Sequence, residues 1–243
     1  PLTVCDYDSK AGTVTIVFQT SGDSTKRMAE YKTGDYFEDF VGPLGQHSDL
    51  MNMSLEELKG KNIIFVAGGV GTAPVYPQVK WLYSHGIKAD VIVGCKSKNY
   101  LLFEDELKPI CDNLYIATDD GSYGYKGFVT DLEKDLLDKK TKDYNYVVAI
   151  GPMIMMKFIA QLTKKYSIKT IVSLNPIMVD GTGMCGACRV TIGGKVKFAC
   201  VDGPEFDGHL VNFDEAMRRQ AMYKTEEGKK ILKKEEGDTF DRK

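Results

Sequence analysis

From about residue 61 the hydrophobic positions form short, almost unbroken apolar runs that alternate with longer stretches of helical periodicity. Near-continuous apolar runs are typical of parallel strands that are buried on both faces. This strand–helix repeat predicts an α/β domain with a doubly wound parallel sheet over residues 61–174. The predicted strands are 62–67, 89–94, 114–118, 146–150 and 170–174, and the predicted helices are 75–85, 104–111, 130–139 and 153–166.

The first fifty residues alternate polar and apolar side chains with a period of two, which is typical of half-buried strands. We predict strands at 13–18 and 35–41, a short helix over 26–31 between them, and a turn at Gly42-Pro43-Leu44-Gly45. The region is too short to close a barrel by itself. Because the chain opens on Pro1 rather than Met and leads straight into a strand, we expect residues 1–52 to be part of a β-barrel that lacks its N-terminal portion.

After Asn175 the strand–helix rhythm stops, and a glycine-rich loop leads into a hairpin pattern. Apolar and polar residues alternate over 188–192 and 195–200, on either side of Gly193-Gly194. A Gly-Gly pair supplies the positive φ angles of a tight turn. We therefore predict a small loop-and-hairpin module over 175–213, followed by a charged, helical C-terminal tail over 214–243 whose end is frayed.

The composition is ordinary for a globular protein, with 43% hydrophobic and 27% charged residues in a chain of 243. The formal net charge of -2 gives no electrostatic reason to expect nucleic acid or an anionic membrane as partner. No apolar run approaches the roughly 20 residues of a membrane span, and no signal-peptide pattern is visible. We expect a cytoplasmic protein that binds neither nucleic acid nor membrane.

Three of the six cysteines lie close together in the glycine-rich loop and the hairpin. The spacing Asp180-x4-Cys185-x2-Cys188-x11-Cys200 matches the plant-type arrangement C-x4-C-x2-C…C of [2Fe–2S] proteins if Asp180 takes the first ligand position. Glycines in the loop let backbone N–H groups turn inward, toward cluster sulfides. The sequence predicts that these four residues bind a [2Fe–2S] cluster.

Other interpretations of the same spacing stay open. The loop could bind structural zinc, since Asp is also a zinc ligand. It could contain one disulfide and one free thiol, or Asp180 could be a turn residue while another group supplies the fourth ligand. The other cysteines lie in apolar patterns and are predicted to be small buried side chains. They are Cys5, Cys95 and Cys111.

A glycine-rich turn follows the first strand of the α/β domain and precedes a helix. Glycine lets the backbone approach a pyrophosphate there, and the helix N-terminus favours its negative charge. Two more loops follow later strands, at the edge where open α/β sheets bind ligands, although each alone is also typical of a plain turn. The predicted nucleotide-binding residues are Gly68, Gly69, Gly71, Thr72, Ala73, Pro74, Asp119, Asp120, Gly121, Gly151, Pro152 and Met153.

The order of these motifs resembles that of the ferredoxin reductase-like family, and the resemblance covers nearly the whole chain. It implies that FAD binds the N-terminal region and that NAD(H) or NADP(H) binds the α/β domain. It also implies that electrons pass from nicotinamide to flavin and then singly to the cluster, without a catalytic acid or base from the protein. The residues that it assigns to FAD are Pro1, Leu2, Thr3, Gly22, Ser24, Thr25, Lys26, Gly42, Pro43 and Leu44.

Two branches of this family are similar to the chain: the electron-transfer subunit of dihydroorotate dehydrogenase, and the small subunit of NADH-dependent reduced ferredoxin:NADP oxidoreductase. The first carries four cysteines, whereas Asp180 and the stretch 200–209 resemble the second. The resemblance implies an electron-bifurcating heterodimer with a larger flavin and iron–sulfur subunit, which reaches ferredoxin through the complex. A dihydroorotate dehydrogenase subunit and a non-enzymatic redox or zinc scaffold are the alternatives.

Overall fold

The computed structural model describes residues 2–226, so the predictions for Pro1 and for residues 227–243 lie outside the described residues. The strands are β1 (Val4–Asp8), β2 (Thr13–Ile16), β3 (Ile63–Gly68), β4 (Asp90–Cys95), β5 (Leu114–Thr118), β6 (Tyr125–Lys126), β7 (Tyr146–Ile150), β8 (Lys169–Ser173), β9 (Arg189–Ile192), β10 (Lys195–Phe198) and β11 (Glu205–Asp207). The helices are α1 (Asp23–Met28), α2 (Leu55–Lys59), α3 (Thr72–Ser84), α4 (Glu104–Leu107), α5 (Val129–Asp138), α6 (Met153–Lys165), α7 (Ala199–Asp202) and α8 (Phe213–Gln220).

A seven-stranded sheet in the order β11-β8-β7-β3-β4-β5-β6 forms the centre of the molecule. Strands β3 to β8 pair in parallel, while β11 runs antiparallel to β8. The chain passes from β3 outward to β4 and β5, and later returns to the other side of β3 to form β7 and β8. This reversal is the doubly wound arrangement, and it confirms the predicted parallel-sheet α/β fold.

Two hydrophobic layers cover the sheet, because successive side chains of a strand point to opposite faces. In β3, Ile64 and Val66 pack with α5 and α6, whereas Ile63 and Phe65 pack with α3. All four are at most 1% exposed. Burial of a side chain of this size stabilises a protein by roughly 1.5–3 kcal/mol. Burial on both faces therefore explains the near-continuous apolar runs of the sequence.

The predicted strands and helices of this domain are present, and two helix boundaries differ by more than one residue. The helix after β3 starts at Thr72 instead of residue 75, because Gly69–Gly71 form a 3-10 turn that leads directly into it. Helix α4 ends at Leu107 instead of residue 111. Pro109 has no N–H to continue the helical hydrogen bonds there. The backbone still turns as far as Cys111, whose N–H donates to the Leu107 carbonyl at 3.0 Å.

The prediction of a strand at residues 35–41 is wrong, since this segment is irregular backbone with one bend. Tyr36 and Phe40 are 80% and 65% exposed. A strand depends on hydrogen bonds to a neighbouring strand, and alternating side chains alone do not supply that neighbour. The predicted helix over 26–31 is shifted to α1. The described N-terminal residues contain one two-stranded antiparallel sheet, β1 with β2, and these residues form no barrel.

The N-terminal hairpin packs against α3 of the large domain. Cys5 is buried, as predicted, and Lys80 Nζ on α3 lies 2.8 Å from both carboxylate oxygens of Asp6. The hairpin is thus held by one apolar contact region and one ion pair, the latter exposed and worth at most about 1 kcal/mol.

The predicted hairpin of the C-terminal module is confirmed. Strands β9 and β10 pair antiparallel around Gly193 and Gly194, whose φ angles are 56° and 78°. The chain then joins the large sheet as β11, which the sequence pattern did not predict. Helix α8 forms the first part of the predicted tail and packs on α6, where Lys157 Nζ lies 2.6 Å from Asp214 Oδ1. Within residues 2–226, no helix is long and apolar enough to cross a membrane.

Candidate functional site

The carboxyl ends of β3 and β7 form the centre of the candidate dinucleotide site. These strands are neighbours, but β4 lies beyond β3 and β8 lies beyond β7, so the strand order switches between them. Open α/β sheets bind ligands at such a switch. The loops that follow the two strands are Gly69–Gly71 and Gly151-Pro152, both singled out from the sequence. Met153 is buried in the first turn of α6.

The two loops touch each other through their glycines. A Cβ atom on Gly71 would lie 2.3 Å from the Ile150 carbonyl oxygen, and one on Gly151 would lie 3.1 Å from the Gly68 Cα. A Cβ on Gly68 would lie 2.6 Å from the Met155 Sδ. These distances leave no room for a side chain. Glycine is therefore needed here for close backbone packing, whether or not a ligand is bound.

Gly69 is the glycine that faces open space. Its φ angle is 56°, and nothing lies within 4 Å of the position that its Cβ would take. The Thr72 hydroxyl donates to the Gly69 carbonyl at 2.8 Å, which fixes the turn. Thr72 and Ala73 are buried and Pro74 is half-buried. The backbone of Gly69, at the N-terminus of α3, is thus the accessible part of the turn, where the helix dipole favours an anion.

The loop with Asp119, Asp120 and Gly121 lies on the same edge of the sheet, two strands from the glycine turn. Adjacent strands are about 4.8 Å apart, so the separation is roughly 10 Å. The N–H groups of Asp119 and Asp120 donate to the carbonyls of Cys95 and Lys96 at 3.1 and 3.2 Å, which ties the loops after β4 and β5 together. The structure places this loop along the same crevice but away from its centre.

The residues predicted to bind FAD form an exposed surface. Leu2 and Leu44 are 43% and 42% exposed. Gly22 is the N-cap residue of α1, and the Thr25 hydroxyl accepts hydrogen bonds from the N–H groups of Ser21 and Gly22 at 3.0 and 3.1 Å. These bonds stabilise the α1 turn itself. Thr3, Ser24, Lys26, Gly42 and Pro43 are also exposed.

Two of the predicted cluster ligands lie side by side in the interior. The Sγ atoms of Cys188 and Cys200 are 3.2 Å apart, both residues are buried, and both are free thiols. Cys188 lies at the start of the β9–β10 hairpin and Cys200 in α7, which follows it. Burial, together with the Cys188 thiol, raises the pKa of Cys200 to about 11. A metal centre that binds this pair must therefore displace the protons, as thiolate ligation requires.

The other two predicted ligands, Asp180 and Cys185, are paired on the exposed part of the loop. The Asp180 carboxylate accepts hydrogen bonds from the N–H groups of Thr182 and Cys185 at 2.9 and 2.8 Å. These bonds lower the pKa of Asp180 below its usual value. Both oxygens thus cap the loop, as in the turn interpretation, although a carboxylate oxygen accepts more than one bond. The N–H of Ala187 donates to the Cys185 Sγ at 3.5 Å.

This donor set, three thiols and one carboxylate, suits an iron–sulfur cluster. The Cys188 and Cys200 thiols lie side by side, and Asp180 is joined to Cys185 through the backbone N–H of Cys185. Gly181, Gly183 and Gly186 have φ angles of 75°, 86° and 66°, which turns the loop backbone around the pairs. Soft thiolates are the preferred ligands of iron–sulfur clusters.

One partly buried hydrogen-bond network was not predicted from the sequence. Glu205 on β11 accepts hydrogen bonds from the Ser48 hydroxyl at 2.9 Å, the Asp49 N–H at 2.8 Å and the Gln78 amide at 2.9 Å. Burial raises the pKa of Glu205, although these donors oppose the shift. The network joins the N-terminal region, α3 and the cluster module. Its members are single polar residues without a motif, so sequence patterns give no signal for them.

Two family models match the chain. The model of the oxidoreductase NAD-binding domain matches residues 65–161, which include the loops after β3, β5 and β7. The model of the iron–sulfur cluster binding domain of dihydroorotate dehydrogenase B matches residues 175–212, which include Asp180 and the three nearby cysteines.

Individual proteins are similar over most of the chain. A protein from the adh 3' region of Clostridium beijerinckii, described as uncharacterised, is 64% identical over 239 residues, which is 98% of this chain and 81% of that protein. A homologue of the dihydroorotate dehydrogenase B (NAD(+)) electron transfer subunit from Thermotoga maritima is 45% identical over 227 residues, 93% of this chain and 77% of that protein.

A solved structure is also similar, that of the NADH-dependent reduced ferredoxin–NADP oxidoreductase, which is described in terms of flavin-based electron bifurcation. The identity is 42% and the TM-score is 0.81, over 96% of this chain and 82% of the other. The matched domains and these identities show that the chain is an oxidoreductase subunit of the ferredoxin reductase-like family, in the group of electron-transfer subunits that carry the iron–sulfur cluster-binding domain of dihydroorotate dehydrogenase B.

Proposed function

We propose that this chain is the NADH-linked electron-transfer subunit of an electron-bifurcating NADH-dependent ferredoxin:NADP oxidoreductase. The observation that carries the proposal is the similarity to the solved structure of that enzyme over 96% of the chain, at 42% identity and a TM-score of 0.81. Asp180, in place of the first cysteine, supports the same branch. In this complex the chain pairs with a larger flavin and iron–sulfur subunit, through which ferredoxin is reached.

The protein's own contribution to the reaction is binding and orientation. The open backbone of Gly69 at the start of α3 receives the pyrophosphate of NAD(H), and the packed glycines behind it hold the turn in place. The exposed surface at Leu2, Gly22 and Leu44 would contact FAD. Bound FAD supplies the chemistry that side chains lack, because it accepts two electrons together and releases them singly.

In the cluster module, Cys188 and Cys200 would hold one side of the cluster, and Asp180 and Cys185 would supply the remaining ligands. The buried pair is fixed by the hairpin, while the exposed pair is fixed by loop hydrogen bonds. Amide donors near the sulfur atoms and the exposure of the loop set the cluster potential. A harder carboxylate ligand changes that potential relative to four thiolates.

A second candidate is electron delivery to a dihydroorotate dehydrogenase subunit. The match of residues 175–212 to the cluster-binding domain of that enzyme supports it, as does the 45% identity to the Thermotoga maritima homologue of its electron transfer subunit. Both candidates use the same NAD(H), FAD and cluster sites and differ in the partner subunit.

The test is anaerobic purification of the chain with its co-expressed partner, followed by assays of flavin, iron and sulfide. The proposal predicts one flavin-containing, coloured complex in which NADH bleaches the flavin, and in which ferredoxin and NADP are used together. Reduction of orotate by the same complex, without ferredoxin-linked activity, would establish the second candidate. A colourless complex with zinc would refute both.

A matched pair of cysteine variants checks the cluster assignment. Cys200→Ala should remove the visible absorption of the [2Fe–2S] cluster and the iron that belongs to it, because it removes one of the two buried thiols. Cys111→Ala removes another buried thiol, one that lies outside the loop, and should leave the iron content unchanged. Equal iron contents in the two variants would contradict the assignment.

A further inference from the structure

The loop at residues 42–45 is predicted to lie beside the flavin. It runs directly into a segment that is hydrogen-bonded to the cluster module. Gly45 has a φ angle of 78°, and a Cβ on it would lie 2.6 Å from the Gly203 carbonyl oxygen. The N–H of Gln46 donates to that carbonyl at 2.6 Å. The side-chain amide of Gln46 donates to the carbonyl of Val201 at 2.8 Å. Val201 directly follows the predicted ligand Cys200 in the chain.

The same segment has a second attachment, through Ser48 and Asp49. The Ser48 hydroxyl and the Asp49 N–H both donate to Glu205 Oε2, at 2.9 and 2.8 Å. Gln78 on α3 holds the other oxygen of this carboxylate at 2.9 Å. Residues 45–49, which we call the bridging segment, are therefore tied at both ends to residues 201–205. The bridging segment thus connects the loop at residues 42–45 to the backbone that follows Cys200.

The cluster side of this junction is rigid. The Asp202 carboxylate accepts the N–H of Phe198 at 2.7 Å and lies 3.2 Å from Lys197 Nζ, which fixes the single turn that carries Cys200. A Cβ on Gly203 would lie 2.5 Å from the Phe206 ring, so the backbone is tightly packed there. The carbonyls that receive Gln46 are thus held in place, and Gln46 fixes the flavin loop relative to them.

We propose that Gln46 is a positioning residue that sets the separation between flavin and cluster. This inference rests on the proposed function of the chain. In the overall step, NADH and two equivalents of an oxidised one-electron acceptor give NAD⁺, one proton and two equivalents of reduced acceptor. Each electron crosses the junction singly. Electron tunnelling weakens steeply with distance, so a looser junction slows this crossing but leaves hydride transfer from NADH unchanged.

The test compares Gln46→Met with the unmodified protein in the flavin- and iron-loaded complex. Methionine keeps the length of the side chain and removes its N–H donors. We expect cluster reduction, followed by freeze-quench EPR after mixing with NADH, to slow by roughly three- to tenfold, because loss of a hydrogen bond worth about 1 kcal/mol lowers the population of the close geometry by up to this factor. The rate of flavin bleaching by NADH, the iron content and the flavin content should stay unchanged.

Gln220→Met is the matched control. The side-chain amide of Gln220 also donates to a backbone carbonyl, that of Asn175, at 3.2 Å, but it does not contact the bridging segment. This variant should keep the full rate of cluster reduction.

Three results would overturn the positioning role: an unchanged rate in Gln46→Met, an equal slowing of flavin bleaching, or loss of iron from that variant. In each of these cases the unmodified complex still transfers electrons. If the unmodified complex contains neither flavin nor iron, it is the proposed function that fails.

Discussion

The chain contains two glycine-rich loops, one after β3 and one before β9, and they keep their shapes by different means. In the first loop, Gly71 is required by packing, since a Cβ would lie 2.3 Å from a backbone oxygen of the neighbouring strand end. In the second loop, the glycines adopt positive φ angles around Asp180, whose carboxylate binds two backbone N–H groups.

The difference shows how the two cofactors relate to the fold. The dinucleotide turn follows a central strand, at the carboxyl end of the sheet. Its packing against the end of the neighbouring strand holds it in shape. The cluster loop is exposed and depends on local hydrogen bonds, so its final geometry depends on the cluster that it binds. Mutations should therefore act on the first loop through stability, and on the second through cofactor retention.

The largest effect is expected for Gly71→Ala. The new methyl group meets the Ile150 carbonyl, which belongs to a central strand and cannot move freely. We expect a loss of about 3 kcal/mol in the free energy of unfolding, at the upper end of overpacking effects, together with loss of NADH binding. Thermal unfolding and nucleotide titration measure both. Gly60→Ala is the control, because its nearest neighbour is 3.5 Å away and its φ angle is -80°.

Glu133 belongs to the packed sheet domain. This residue on α5 is fully buried, and neither carboxyl oxygen has a hydrogen-bond partner among the described residues. Burial raises its pKa to about 8. In the unfolded chain the group ionises near its ordinary value, so the folded state binds one more proton between the two values, and stability falls as the pH rises through this range.

We expect the free energy of unfolding to fall by roughly 2 kcal/mol between about pH 6 and pH 7.5 from this group, at about 1.4 kcal/mol per pH unit. Glu133→Gln should abolish this part of the pH dependence while iron retention stays the same. Urea unfolding at both pH values measures it. A variant with the same slope as the unmodified protein would show that Glu133 is already ionised in the fold.

A smaller effect, on cofactor retention alone, is expected for Asp180→Asn. Asparagine keeps one oxygen for the loop hydrogen bonds but has no negative charge for iron. Iron affinity should fall by at least roughly 10- to 100-fold, the range seen when groups that only orient a metal ligand are removed, whereas the melting temperature of the sheet domain should not change. Iron and sulfide are measured after a chelator challenge. Full retention in Asp180→Asn would mean that Asp180 only caps the loop, while Asp180→Cys should restore retention with an altered absorption spectrum.

The smallest effect is expected for Ser54→Ala at the start of α2. The Ser54 hydroxyl accepts the N–H of Glu57 at 3.2 Å, and the Glu57 carboxylate accepts the N–H of Ser54 at 2.8 Å. Loss of such a cap costs about 1 kcal/mol. Chemical denaturation should detect this change, and both cofactor sites should keep their ligands because α2 carries no predicted site residue. Ser54→Thr keeps the acceptor oxygen and should restore most of the stability.

The sequence predicted the α/β domain well because its signals are local. A strand buried on both faces must be apolar along its length, as in residues 63–67, and a helix shows its period within a few turns. The candidate cluster ligands also form a local signal, since cysteines at fixed spacing beside glycines are typical of iron–sulfur sites. The same local rules failed at residues 35–41, where alternation suggested a strand but no neighbouring strand pairs with it.

The sequence by itself determined the order of the modules, the glycine turn after β3 and the crowding of Asp180 with three cysteines. Only the tertiary structure decided that β11 pairs with β8, that Gly71 is needed for packing, and that Gln46 joins the loop at residues 42–45 to the backbone after Cys200. These contacts join residues that are about 35, 80 and 155 positions apart. No local pattern encodes them, because each depends on where the hydrophobic core brings distant segments together.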